Sequence, residues 1–158
     1  MKLFTAVVTL AIVGSLTTTY AGQGLVLEKK VLSLAAARKI VAAAEAEANA
    51  RGVGVVIAVV DSSGTIIELT RMDTAQVASV NVGIGKARTA AIYRRPSRDF
   101  EEQIKSGRIG ALALADATPL QGGVPVLVDG KVVGAVGLSG DTPQVDEAIA
   151  IAGAAAVR

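Results

Sequence analysis

Apolar residues recur along this chain with two different periods. From Ser33 to Arg51, alanines and the larger Leu34, Ile40 and Val41 fall at helical spacing. Ser33 is placed to cap the first turn and Gly52 to end the last, so a first helix is predicted here, with Glu45 and Glu47 on its solvated face. Val53 to Val60 is instead an unbroken β-branched run, followed by the turn Asp61-Ser62-Ser63-Gly64 and a second run from Thr65 to Met72. That is the grammar of a β-hairpin. Helical spacing returns from Ser79 to Arg94, with Arg94-Arg95 at the end where cations suit the helix dipole, and Pro96 stops it. Ser97 is placed to cap a shorter polar helix, Arg98 to Lys105, with Asp99, Glu101 and Glu102 in its first turn and Gly107 as its exit. Ile109 to Leu114 is apolar without a clear period and reads as strand or loop.

The stretch Gln121 to Gly140, QGGVPVLVDGKVVGAVGLSG, predicts a second hairpin. Asp129-Gly130 separates two β-branched runs, and this dipeptide suits a turn whose two central residues both need positive φ. Gly134, Gly137 and Gly140 recur at every third position, which a strand interior tolerates where a packed backbone, a bulge or a ligand comes close. Thr142-Pro143 then opens a last helix that runs toward Val157. Two hairpins interleaved with helices imply an α+β domain, with one antiparallel sheet of about five strands flanked by helices.

The first residues follow another rule. Met1-Lys2, the apolar run Leu3 to Leu16 and the small polar stretch Thr17 to Ala21 have the three regions of a secretory signal. This divides the chain into a leader, residues 1–21, and a domain, residues 22–158, and predicts a periplasmic or secreted protein with no membrane attachment after cleavage. The apolar run is shorter than the roughly 20 residues that span a bilayer. Half the chain is apolar, yet it holds only two Phe, two Tyr and no Trp, so aliphatic side chains must build the core. The net charge of +2 sets up no field to recruit nucleic acid. Cysteine and histidine are both absent, which excludes disulfides, Ser-His and Cys-His catalysis, imidazole-bound zinc and histidine-ligated haem.

Three candidate sites remain. Gly137 to Thr142 is a glycine turn running into a helix N-terminus, where free N–H groups suit an anion, although Asp141 opposes one. Arg71-Met72-Asp73 ends a strand, joining an arginine able to clamp a carboxylate to a soft thioether. Lys86 and Tyr93 lie seven apart on one helix with Arg88 between them, offering a cation and a phenol for proton transfer or ligation. Each also has an ordinary reading: a capped helix, solvated strand-end charges, and a snorkelled rim. The carboxylates Asp61, Asp116, Asp141, Asp146 and Glu147 show no calcium-loop spacing.

Taken in order, Ile57-Ala-Val-Val-Asp61 with Gly64, Arg71-Met72-Asp73, Lys86-Ala-Arg-Thr-Ala-Ala91, Gly122-Gly-Val-Pro-Val126 and Gly134-Ala-Val-Gly-Leu-Ser-Gly140 with Asp146 resemble the GlcG/HbpS family of haem-binding or haem-degrading domains. The resemblance covers the chain from about Ser33 to its end. It implies a profilin-like α+β domain that assembles into homo-oligomers and takes haem as its small-molecule ligand. It also implies a pocket bordered by Arg71, Met72 and Asp73, by Lys86 and Tyr93, and by Gly122, Gly123, Gly137 and Gly140. With no histidine, iron ligation would fall to Tyr93, Met72 or a threonine or lysine donor. Two other functions are compatible with the same residues. One is an enzyme acting on a small carboxylate or carbonyl compound, with Arg71 orienting the anion and Lys86 or Tyr93 moving the proton. The other is a non-catalytic assembly or sensor partner.

Overall fold

A computed structural model describes residues 25–157, so the predicted leader lies outside the described residues. In chain order the elements are α1 (Leu34–Arg51), β1 (Val56–Asp61), β2 (Ile66–Arg71), α2 (Ser79–Ile92), α3 (Arg98–Lys105), a 3-10 turn (Ile109–Ala113), β3 (Gly123–Val128), β4 (Lys131–Ser139) and α4 (Pro143–Ala155). The strands form one antiparallel sheet in the order β2-β1-β4-β3. The two hairpins therefore meet along β1 and β4, and β2 and β3 are the edges. Pro125 sits on the β3 edge, where a missing N–H leaves no ladder bond unmade.

Local chemistry explains most boundaries. The Ser33 hydroxyl accepts from Ala36 N, and Gly52 closes α1 at a left-handed φ of 68°. Thr142 caps α4 in the same manner by accepting from Val145 N, with Pro143 in the first turn. Asp129 and Gly130 have φ of 49° and 71°, the paired positive values of a type I′ turn. In the other hairpin the Asp61 carboxylate accepts from Ser63 N at 2.7 Å and Thr65 N at 3.0 Å, an Asx-type turn.

The sheet is covered on both faces. Val55, Ile57, Val59, Val136 and Leu138 face α1 and α4 and build the larger core with Ile40, Val41 and Ile149. Alternate residues Ala58, Val60 and Ala135 face α2, meeting Ala87, Ala90 and Ala91. Small residues let α2 lie close. A Cβ built on Gly137 would come within 2.8 Å of Ala87 Cα and closer still to Ala87 N and Gly83 O.

The expected α+β class is observed, and its four strands are close to the five expected; Ile109–Ala113, read as strand or loop, forms a 3-10 turn. Two expectations need correction. Ser97 makes no capping bond to α3; its hydroxyl donates to Leu120 O and accepts from Gly123 N at 2.8 Å, stapling the start of β3. Finally, α2 ends at Ile92, and Arg94 follows in a left-handed conformation, φ 56°, outside the last turn.

Candidate functional site

The sequence candidates other than Tyr93 gather at one end of the sheet, where β4 ends: Arg71 lies beside it through Val56, and Lys86 reaches Gly122 beside Leu138. Lys86 projects from α2 past the start of β3 and meets Asp146 of α4 at 2.7 Å, with the two side chains 4% and 2% exposed. This ion pair joins the helical layers of opposite sheet faces around Gly122, whose φ is 125° and where a Cβ would stand 2.9 Å from Lys86 Nζ. Asp146 also accepts from Asp141 N at 3.1 Å. Burial pushes the Asp146 carboxyl above its ordinary value, against the pull of Lys86. Next to it, Glu147 accepts from Arg98 at 3.1 Å and from the Gln121 side-chain amide at 2.8 Å. Burial would raise Glu101 too, but Lys105 and the Gln121 N–H outweigh it and hold that carboxyl below its ordinary value. The cluster is dense and internally satisfied.

Tyr93 does not join Lys86. Its hydroxyl donates to Ala115 O at 2.7 Å and its ring meets Phe100 edge-on, 5.1 Å between centroids, while Arg95 lies over the same Phe100 ring. Arg71 pairs with Val56 in the sheet register, and Val56 with Ser139, so Arg71 stands beside the end of β4. Arg71 and Asp73 are exposed, whereas Met72 packs against the larger core. Gly137 is filled by α2. Gly140 lies on β1's approach, where a Cβ would come 2.7 Å from Val55 Cα, and Gly123 is closed by the Lys86 backbone at 2.7 Å. The glycines of β3 and β4 are thus occupied by the protein's own backbone.

An open space lies at the opposite end of the sheet, beside the hairpin turns. A groove of about 790 Å³ is lined by Glu28, Lys29 and Lys30 of the segment before α1, by Arg94, and by the β3–β4 turn region from Leu127 to Val133. That volume is within the roughly 300–1,000 Å³ of small-molecule sites. Its apolar strip is Leu127, which is half exposed, and Val132, while Val133 beside them is buried in the larger core. Its rim carries the cations Lys29, Lys30, Arg94 and Lys131 against the carboxylates Glu28 and Asp129. Lys30 is paired with Asp129, and Lys29 donates to Ser62 at 2.6 Å. The bond from Lys30 holds the Asp129 carboxyl below its ordinary value, with Lys131 adding to the effect.

Why Arg94 reaches this groove is local: leaving α2 with positive φ, it turns out of the helix line toward the hairpin. Leu127, Lys131 and the Lys29-Lys30 pair were not singled out by sequence reasoning. The signal available was the basic pair before α1 and the lysine directly after Asp129-Gly130, but only the fold brings them to one rim. Among the described residues no group of three His, Cys, Asp or Glu side chains could hold a metal ion, and no helix is long and apolar enough to cross a membrane.

Comparison with known proteins follows this geometry. A family model described as "Haem degrading protein HbpS-like" matches residues 32–155. Protein GlcG of Escherichia coli strain K12 is 41% identical over 111 residues, which is 70% of this chain and 83% of GlcG. Among solved structures, a double-mutant HbpS from Streptomyces reticuli superposes with a TM-score of 0.79 at 28% identity, covering 98% of this chain and 99% of that one. A PduOC:haem complex superposes with a TM-score of 0.74 at 26% identity, over 82% of this chain and 96% of that one. The matched fold, the span of the family model and the identity to GlcG together establish that this chain belongs to the HbpS-like family.

Proposed function

We propose that this protein is an exported, homo-oligomeric haem-handling protein that binds its ligand in the groove beside the hairpin turns. The observation that carries the reading is the groove itself: an apolar strip of Leu127 and Val132 rimmed by four cations. Support for the ligand comes from the family's description and from the PduOC:haem complex; support for export comes from the pattern of residues 1–21. Assembly rests on the family resemblance.

The lining fits haem in two of three respects. A flat apolar macrocycle gains by burial against Val132 and Leu127, and its propionates match Lys29, Lys30, Arg94 and Lys131. The third respect is the iron, for which the chain has no imidazole or thiolate. Tyr93 and Met72 do not line the groove, so an axial donor there would be an amine or carboxylate of the rim. When bound, haem supplies the redox chemistry of its iron. The chain's residues orient it and screen one face from water.

The test is to isolate the protein from the extracytoplasmic fraction of its host, measure its intact and native masses, and titrate it with haemin. Expected are a mass starting near Gly22, a multiple of the subunit mass, and a Soret change at micromolar haemin. Replacing Lys29 and Lys131 together by alanine should weaken binding by about tenfold, two rim charges at about 0.7 kcal/mol each, within the range of exposed-pair energies. A flat titration would refute haem binding, and equal affinity in the double variant would remove the groove as its site.

A further inference from the structure

The rim of the groove is built for carboxylates, and nothing in it is built for iron. A lysine must lose its proton to ligate a metal, and Lys30 is instead engaged as a cation by Asp129. Glu28 and Asp129 are exposed rim carboxylates, and Asp129 is already held by Lys30. By contrast, Lys29, Lys30, Arg94 and Lys131 give two cations for each of two ligand carboxylates, and Leu127 and Val132 give the apolar contact. We propose that this groove selects its ligand by two carboxylates and an apolar face, independently of a central metal. Metal-free dicarboxylic tetrapyrroles, closed or ring-opened, are then ligands of the same standing as haem. This rests on the reading of the groove as the haem site.

Asp129 has a specific part in it. It occupies Lys30 in the free protein, so a ligand carboxylate must displace it. Asp129→Asn removes the competing charge while leaving a turn of the favoured Asn-Gly type, so the hairpin is preserved.

The experiment compares haemin, protoporphyrin IX, protoporphyrin IX dimethyl ester and biliverdin on the mature protein, read by intrinsic porphyrin fluorescence and absorbance. Protoporphyrin IX and biliverdin should bind within about threefold of haemin, since the shared carboxylates and apolar face supply the affinity. The dimethyl ester, which cannot pair with the rim, should bind at least about tenfold more weakly. Asp129→Asn should tighten protoporphyrin IX by about two- to fivefold, the measure of one exposed ion pair removed from competition, and Lys30→Ala should loosen it by a similar factor. Binding of haemin without protoporphyrin IX would overturn this inference and leave the haem reading standing, because it would show ligation through iron. An ester as tight as the free acid would also overturn it. If neither porphyrin binds, the haem reading itself falls.

Discussion

Gly137→Ala tests how closely α2 lies on the sheet. A Cβ at this position would stand 2.8 Å from Ala87 Cα, with Ala87 N and Gly83 O nearer still, all of them backbone. Ordinary carbon contacts are about 3.5–4.0 Å, so α2 would have to retreat by about 1 Å. It cannot do so freely, because Ala87, Ala90 and Ala91 are packed on Ala58, Val60 and Ala135 with essentially no exposure. Overpacking of this kind costs about 1–3 kcal/mol. Alanine recovers about 0.5–1 kcal/mol of chain entropy relative to glycine. The clash wins, and a net loss of about 1–2 kcal/mol is expected, or a fall in Tm of about 3–6 °C for a chain of this size. Urea unfolding followed by circular dichroism measures it. The control is Gly110→Ala, where a Cβ meets nothing within 4 Å, and it should stay within about 0.5 kcal/mol of wild type. If Gly137→Ala is as stable as wild type with an unchanged m-value, the close approach of α2 is wrong.

Two other perturbations test structural charges. Lys86→Met leaves Asp146 buried without its partner and should cost about 3–5 kcal/mol, whereas Lys86→Met with Asp146→Leu should recover most of that loss; comparison of urea midpoints decides, and a single-variant loss under about 1 kcal/mol would contradict the buried pair. The Asp61 carboxyl is held below its ordinary value: desolvation opposes this, but the bonds from Ser63 and Thr65 outweigh it. Its stabilisation is therefore complete above the ordinary carboxylate value and is lost as pH falls through the lower folded one. Asp61→Ala should cost about 1 kcal/mol at pH 7, and its deficit should shrink in thermal melts below about pH 4. Asp146 has the opposite sign. Its raised carboxyl contributes most at acid pH and progressively less as pH rises past the ordinary value.

The glycine-rich hairpin shows where sequence and structure part. Asp129-Gly130 was legible as a turn because the type I′ geometry is a property of two adjacent residues. Gly134, Gly137 and Gly140 were legible as places of close approach, but not as to what approaches. The structure answers with backbone: Val60 at Gly134, α2 at Gly137, and Gly54 with Val55 at Gly140. Lys86 and Tyr93 share a helical repeat, yet Tyr93 turns toward Ala115 and Lys86 toward Asp146. Spacing along a helix says which residues share a face, not where a four-carbon side chain ends. Ser97 was misread for a related reason, since a hydroxyl before a helix can serve a distant strand as readily as its own first turn.

By itself, then, the sequence determined the alternation of helices and hairpins, the caps at Ser33 and Thr142, the α+β class and the family, all of which rest on neighbours within a few residues or on an ordered set of motifs. Tertiary structure alone decided the pairing of β1 with β4, the ion pair between α2 and α4, and the meeting of Lys29, Lys30, Arg94 and Lys131 at one groove. The physical reason is range. Turns and caps are settled by hydrogen bonds a few residues long, while a site is settled by which distant segments the buried sheet brings to the same end.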